Sequence, residues 1–372
     1  MMLNYVSKVG SCPSNPIHKE ILNPSINITD YPVNKPKPAI IRVRELDDFM
    51  RYFNNSDFAP FQKHNPPWSF QAPPVDTSLH VDRKNNISPS VFQKHFLETI
   101  SSKYHDCVLC FTDGSKSDIS TSCAYSIGNN ICSFRLNEVN TVFSSEIIAI
   151  LLCLQNIKYL PPSKFLLVSD SMSAIQAIAN ICSSYKNSLT SKIYSAWKDL
   201  KSCGKEVTLM WCPSHCGISG NEAVDTAAKN PTTPVQPLKL CSASDFKPIV
   251  AKIIHNMWQT SWNNLVIPNK LKRIKPVIDN WTSSNRNTRF EEVVLTRLRI
   301  GHTRLTHSYL FTKSPHPTCR CGEPLTVAHI LICPLDTPIR SSLPNPPSLS
   351  DDKPGVDSLM SYLRSLNIID KI

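Results

Sequence analysis

Three short apolar runs, residues 107–113, 123–127 and 131–136, follow one another with no helical segment between them, and from Ser145 onward helix and strand alternate. Apolar residues at helical spacing fill 145–157, a β-like run covers 165–170, and a helix starts at Ser171, its expected N-cap. A further helix over 189–201, a strand over 206–211 and a last helix from Asn221 complete the series. Strands joined by short turns pair antiparallel, and strands separated by a helix pair parallel. The order therefore predicts an α/β domain built on a mixed five-stranded sheet flanked by helices.

The flanks read differently. Residues 1–104 are rich in Pro, Asn and Ser, with runs such as 34–38 and 64–68, and the one clear helical patch is 44–53; the remainder is expected to be extended or disordered. The Pro-rich run 230–237 marks a boundary. Beyond it, 246–265 and 290–298 read as helices, with Trp258 and Trp262 on one face of the first. The expected organisation is a Pro-rich, partly disordered segment 1–104, an α/β domain 105–232 and a smaller, mostly helical region 233–372.

Charge is distributed unevenly. The net charge is +11, yet residues 105–232 carry ten Lys/Arg against ten Asp/Glu, while 1–104 carry twelve against nine and 233–372 carry eighteen against ten. Attraction to a polyanion is thus expected mostly from the C-terminal region, through Arg297, Arg299, Arg304 and Arg320. The longest purely apolar run, 147–154, is far too short to span a bilayer, and the first residues lack the apolar core of a secretory leader. No membrane partner is expected. Cys107, Cys110, Cys153 and Cys203 sit among strand and helix residues as small hydrophobes, which favours a reducing, intracellular setting.

Four acids occupy mechanically sensible places. Asp113 ends the first run before a Gly, Glu146 opens the first helix, Asp170 ends the fourth strand, and Asp225 falls in the first turn of the last helix, behind a Pro/Gly-containing loop that carries His215. Each alone has an ordinary reading: a turn former, a helix-dipole partner, a cap or a solvated side chain. Together, at one sheet edge, they suit two Mg²⁺ or Mn²⁺ ions, which prefer carboxylate oxygen and activate water for phosphodiester hydrolysis. Ser214, His215 and Cys216 are consecutive and cannot converge as a nucleophilic triad.

In order and content, the segments 108–115, 144–152, 165–171 and 211–225 resemble ribonuclease H. The resemblance implies that Asp113, Glu146, Asp170 and Asp225 bind two metal ions and that His215 assists proton transfer or product release. It also implies that Thr112, Gly114, Ser115 and Asn221 lie along the substrate, where hydroxyl and backbone groups sense 2′-hydroxyls. The implied activity is endonucleolytic hydrolysis of the RNA strand of RNA–DNA hybrids. The alternative is a catalytically idle, transposon-derived nucleic-acid-binding module. An integrase or transposase fits less well, since those enzymes use three acids and lack this His loop.

A second cluster has ligand spacing. Cys319, Cys321, His329 and Cys333 form Cys-x-Cys-x₇-His-x₃-Cys, a soft donor set suited to structural Zn²⁺, with His329 and Cys333 on one helix face. The competing reading is a short buried helix with incidental thiols, and His316 is a replacement ligand should Cys319 point away. With 301–307, this segment resembles the region after ribonuclease H in jockey-like arthropod non-LTR retrotransposon polyproteins. Those polyproteins carry an upstream reverse transcriptase with a Tyr/Phe-x-Asp-Asp motif. None occurs in this sequence, so DNA synthesis is not expected.

Overall fold

The computed structural model describes residues 2–22, 36–60, 71–80, 88–161, 163–180, 188–231, 236–266 and 269–372. The run 64–68, residues 34–35 and residues 232–235 of the expected boundary lie outside them. The chain divides into two units, 1–253 and 254–372.

Unit 1 begins with α1 (Met2–Gly10), α2 (Pro16–Leu22), α3 (Ala39–Arg44), α4 (Asp47–Asn54), β1 (Asp57–Phe58), β2 (Val75–Asp76) and α5 (Pro89–Lys103). The α/β series follows: β3 (Cys107–Lys116), β4 (Thr121–Ile127), β5 (Asn130–Arg135), α6 (Val142–Ile157), β6 (Lys164–Ser169), α7 (Met172–Ala179), α8 (Ser188–Ser202), β7 (Glu206–Trp211) and α9 (Ser219–Lys229). Short β8 (Leu240–Cys241) and α10 (Phe246–Asn263), within which the division falls, come last.

The sheet has the strand order β2-β7-β6-β3-β4-β5. The hairpin strands β3, β4 and β5 are antiparallel, and β6 and β7 run parallel to β3 across the helical crossovers, as the element order predicts. The element order predicts five strands; among the described residues the sheet has six. Its extra edge strand, β2, comes from the Pro-rich segment and pairs parallel with β7. Two residues are too few to register as a periodic run, and hydrogen bonds to a buried carboxylate hold them: Asp76 accepts from Lys103 Nζ and Tyr104 Oη, both at 2.7 Å. Burial alone would raise the Asp76 pKa, but these bonds hold it far below the usual carboxylate range.

The described part of the N-terminal segment is packed rather than loose. Leu3, Val6, Val9, Phe49 and Phe53 form a core with Val139, Cys241, Phe246 and Val250. The rings of Phe53, Phe58 and Phe246 pack together with centroids 5.0–6.3 Å apart. Mean composition hid this, because a few aromatic and aliphatic residues carry the burial.

Other boundaries shifted for local reasons. The expected helix over 44–53 is two helices, broken at Glu45 and Leu46. Helix α6 starts at Val142, before Ser145, because Thr141 caps it by accepting from the Ser144 amide at 3.3 Å. Ser171 sits at the N-cap of α7 but makes no capping bond; its hydroxyl lies 3.3 Å from that of Ser173. Helix α9 starts at Ser219, so Asp225 belongs to its second turn rather than its first.

Unit 2 contains α11 (Lys270–Ile274), α12 (Arg289–Ile300), α13 (Arg304–His307), α14 (Tyr309–Thr312), α15 (Val327–Ile332), α16 (Thr337–Ser341) and α17 (Lys353–Ser365). Its core joins α12, α15 and α17 through Val294, Leu298, Ile330, Val356, Leu359 and Tyr362. Gly301 ends α12 at φ 82°, a left-handed cap that favours glycine. Among the described residues no helix is long and apolar enough to cross a membrane.

Candidate active site

The register of the central strands brings the first acids together. Thr112 of β3 pairs with Ser169 of β6, so the next residues, Asp113 and Asp170, emerge side by side at the same sheet edge. Helix α6 crosses β3 at Glu146. That approach requires Gly114, where a Cβ would lie 2.4 Å from the Glu146 backbone nitrogen and 2.7 Å from the Ser145 carbonyl carbon. Gly220, in the first turn of α9, is as constrained: a Cβ there would meet the Phe111 ring at 2.2 Å. Two glycines thus set how closely the helices carrying Glu146 and Asp225 lie against β3.

One carboxylate oxygen from each of Asp113, Glu146 and Asp170 lies within 4.8 Å of the others. Asp113 and Glu146 are each only 6% exposed. Burial, followed by the charges of Asp170 and Asp225, pushes Asp113 up to about 7. Burial, followed by the charges of Asp113 and Asp170, pushes Glu146 up to about 9. Asp170 is also raised, first by burial, although the Asn221 amide and the charge of His215 oppose the shift. Glu146 Oε2 is buried with no hydrogen-bond partner. Like charges at this spacing, with an oxygen left bare, make a donor set that fits a hard divalent cation.

The fourth acid sits apart from this trio. Asp225 faces the same site closely enough to raise the Asp113 pKa, but its carboxylate accepts from Lys229 Nζ at 2.8 Å, one turn on. Asn221 is 2% exposed and donates to Asp170 Oδ2 at 3.2 Å, while Trp211 Nε1 donates to the Asp170 carbonyl at 3.0 Å. His215 is exposed, with φ 54° in the left-handed region.

The residues expected along a substrate divide. Thr112 is fully buried, its hydroxyl without a partner, and Gly114 is pressed against the α6 backbone, so neither presents a surface group. Ser115 is half-buried at the strand end.

Sequence reasoning missed three supports, of which Asp245 and Gln93 lie outside the α/β segment. Asp245 accepts from the Thr141 amide at 3.1 Å and hydroxyl at 2.9 Å, bracing the start of the helix that carries Glu146. Gln93 of α5 donates to the Gly217 carbonyl at 2.6 Å, and Glu222 accepts from the Gly217 amide at 2.8 Å. The loop carrying His215 is therefore held from both sides. The only sequence signal for Asp245 was a Ser-x-x-Asp capping pattern, Ser242 to Asp245; Gln93 left none.

One of the four arginines of the expected basic grip in unit 2 is buried. Arg299 is 8% exposed, donates to the carbonyls of Leu349 and Ser350 and the hydroxyls of Ser283 and Ser284, and lies 4.5 Å over the Trp281 ring. Arg297 donates to the Ile372 carbonyl at 2.9 Å. Arg299 therefore serves the fold of unit 2, whereas Arg297 is exposed despite that bond. Arg304 and Arg320 remain exposed.

Residues 105–232 match the family model for RNase H, and the mixed sheet with flanking helices is the α/β architecture of that domain. A solved structure of the foamy viral protease-reverse transcriptase in complex with dsDNA is similar at 15% identity and a TM-score of 0.29, over 35% of this chain and 96% of that one. No curated protein matches the chain.

Proposed function

We propose that unit 1 hydrolyses the RNA strand of RNA–DNA hybrids, with Asp113, Glu146, Asp170 and Asp225 as the ligands of two Mg²⁺ or Mn²⁺ ions. The observation that carries this reading is the meeting of three carboxylates within 4.8 Å on one sheet edge, inside the segment that matches the RNase H family model. Bound there, the ions would activate a water and offset charge on the phosphate.

The chain's own residues have separable tasks. Asn221 fixes the orientation of the Asp170 carboxylate, and the buried, unpartnered Oε2 of Glu146 offers a donor at no cost in broken bonds. Asp225 must exchange its Lys229 contact to join the ligand set; that exposed pair is weak enough to yield. His215, exposed on its braced loop, can take up or release a proton at the leaving oxygen. Ser115 and the backbone around it lie where an RNA 2′-hydroxyl would pass. Arg304 and Arg320 add phosphate attraction from unit 2. The resemblance of 301–333 further suggests descent from a non-LTR retrotransposon polyprotein.

The test is cleavage of a labelled hybrid by the full chain and by Asp170→Asn. The variant should keep its fold and its binding but lose turnover. Hybrid bound yet uncut by the natural chain would overturn the enzymatic reading in favour of a binding module.

A further inference from the structure

We propose that Cys319, Cys321, His329 and Cys333 hold one Zn²⁺ in a closed, structural site that fastens the 317–325 turn to the helical core of unit 2. The inference is independent of the ribonuclease reading, because none of these residues belongs to the acid cluster.

The donors are distant in sequence yet converge. Cys319 and Cys321 lie on a tight turn closed by Cys319 N to Glu323 O at 2.8 Å and Gly322 N to Cys319 O at 2.9 Å, with Gly322 at φ 90°. His329 lies on α15, whose N-cap Thr326 accepts from the His329 amide at 3.0 Å, and Cys333 is the C-cap of the same helix. One ligand atom from each of the four lies within 4.8 Å of the others. Cys319 Sγ is 3.7 Å from Cys333 Sγ, and Cys321 Sγ is 3.2 Å from His329 Nε2.

These spacings discriminate between bonding modes. A disulfide needs sulfurs at about 2.05 Å, which excludes a Cys319–Cys333 bond. Zn–S bonds of about 2.3 Å and Zn–N bonds of about 2.0–2.1 Å set tetrahedral donors roughly 3.5–3.8 Å apart, which matches the sulfur pair and nearly matches the sulfur–nitrogen pair. His316, the substitute ligand considered from the sequence, instead packs on Tyr309 at 4.7 Å and bonds the Pro317 carbonyl through Nδ1.

The surroundings favour a structural ion. Four protein donors fill a tetrahedron, leaving no position for a reactive water. Three thiolates with Zn²⁺ leave one net negative charge, and Arg340 donates to the Cys333 carbonyl at 2.7 Å. Helix α15 has only six residues, too few to be stable alone. Its inner face, Val327 and Ile330, enters the unit 2 core, and Tyr362 Oη donates to the Ile330 carbonyl at 2.8 Å. The ion would tie the turn to that short helix from its outer side.

The test uses the full chain, purified without a metal-affinity tag, with metal content measured directly. One zinc per chain is expected, and cobalt exchange should give the absorption of a tetrahedral thiolate site. Cys319→Ser with Cys333→Ser should lose the metal, while Cys132→Ser, an exposed cysteine elsewhere, and Asp113→Asn should keep it. Zinc removal from the natural chain should also raise alkylation of Cys319 and Cys321, a readout that needs no folded variant. Zinc far below one per chain, zinc retained by the double variant, or alkylation indifferent to the metal would each overturn the proposal.

Discussion

The side-chain amide of Gln93 donates to the backbone carbonyl of Gly217 at 2.6 Å, across 124 residues of sequence. Gln93 belongs to α5, which precedes the segment that matches the RNase H family model, and Gly217 lies two residues past His215. A helix outside the matched segment therefore holds the loop that carries His215.

Removing that bond should loosen the loop without unfolding the domain. Gln93→Ala is expected to lower kcat by about 2- to 10-fold, the rate equivalent of one hydrogen bond of about 0.5–1.5 kcal/mol, with KM little changed. Gln93→Glu, which cannot donate, should behave like Gln93→Ala, and Gln93→Lys, which can, should recover part of the rate. Equal kcat in all four proteins would remove the bond from any role in positioning His215.

The acid cluster should leave a signature in stability. Glu146 and Asp113 are held at about 9 and about 7, against ordinary values of 4.5 and 3.8. Between those limits the unfolded chain binds fewer protons than the folded one, so stability falls as pH rises from about 4 to 9. Without added divalent ion, Tm should decline across that interval more steeply in the natural protein than in Glu146→Gln. Added Mg²⁺ should flatten the decline. A Glu146→Gln curve parallel to the natural one would show that the carboxylate is not buried as described.

Arg299 and Arg304 should separate cleanly. Arg299→Ala removes four hydrogen bonds and a ring contact inside unit 2, and should cost about 2–4 kcal/mol of that unit's stability. Arg304→Ala should leave stability unchanged but weaken hybrid binding and reduce its salt slope by about 1. Denaturation and salt-dependent binding, measured side by side, distinguish the two. Exchange of the two effects would return Arg299 to the binding surface.

Gly114→Ala places a methyl against the backbone of α6, where no flexible side chain can yield. A destabilisation of about 1–3 kcal/mol or more is expected, together with loss of turnover through displacement of Glu146. A fully stable, fully active variant would contradict the close approach of strand and helix.

Much of this site was legible in the sequence because its information is local. Apolar and helically spaced runs located β3, α6, β6 and β7, and Asp113, Glu146 and Asp170 lie at their ends or on a buried face. The two-residue strand β2 was not legible, since two residues carry no periodicity and its anchor, Asp76, is held by the last residue of the next helix and the tyrosine after it. Nor were Gln93 and Asp245, whose partners lie about a hundred residues away. Arg299 was misread because charge counts cannot distinguish a guanidinium bonded to carbonyls in the core from one facing solvent. Motif position likewise gave the neighbourhood of Thr112 but not its burial.

The most direct test of the account is strand-specific cleavage. Hybrids labelled on the RNA or on the DNA strand would be incubated with the full chain and with Asp113→Asn, each with and without Mg²⁺. The RNA strand alone should be cut, only by the natural chain and only with metal. Failure of the natural chain to cut, or equal cutting by Asp113→Asn, would contradict it.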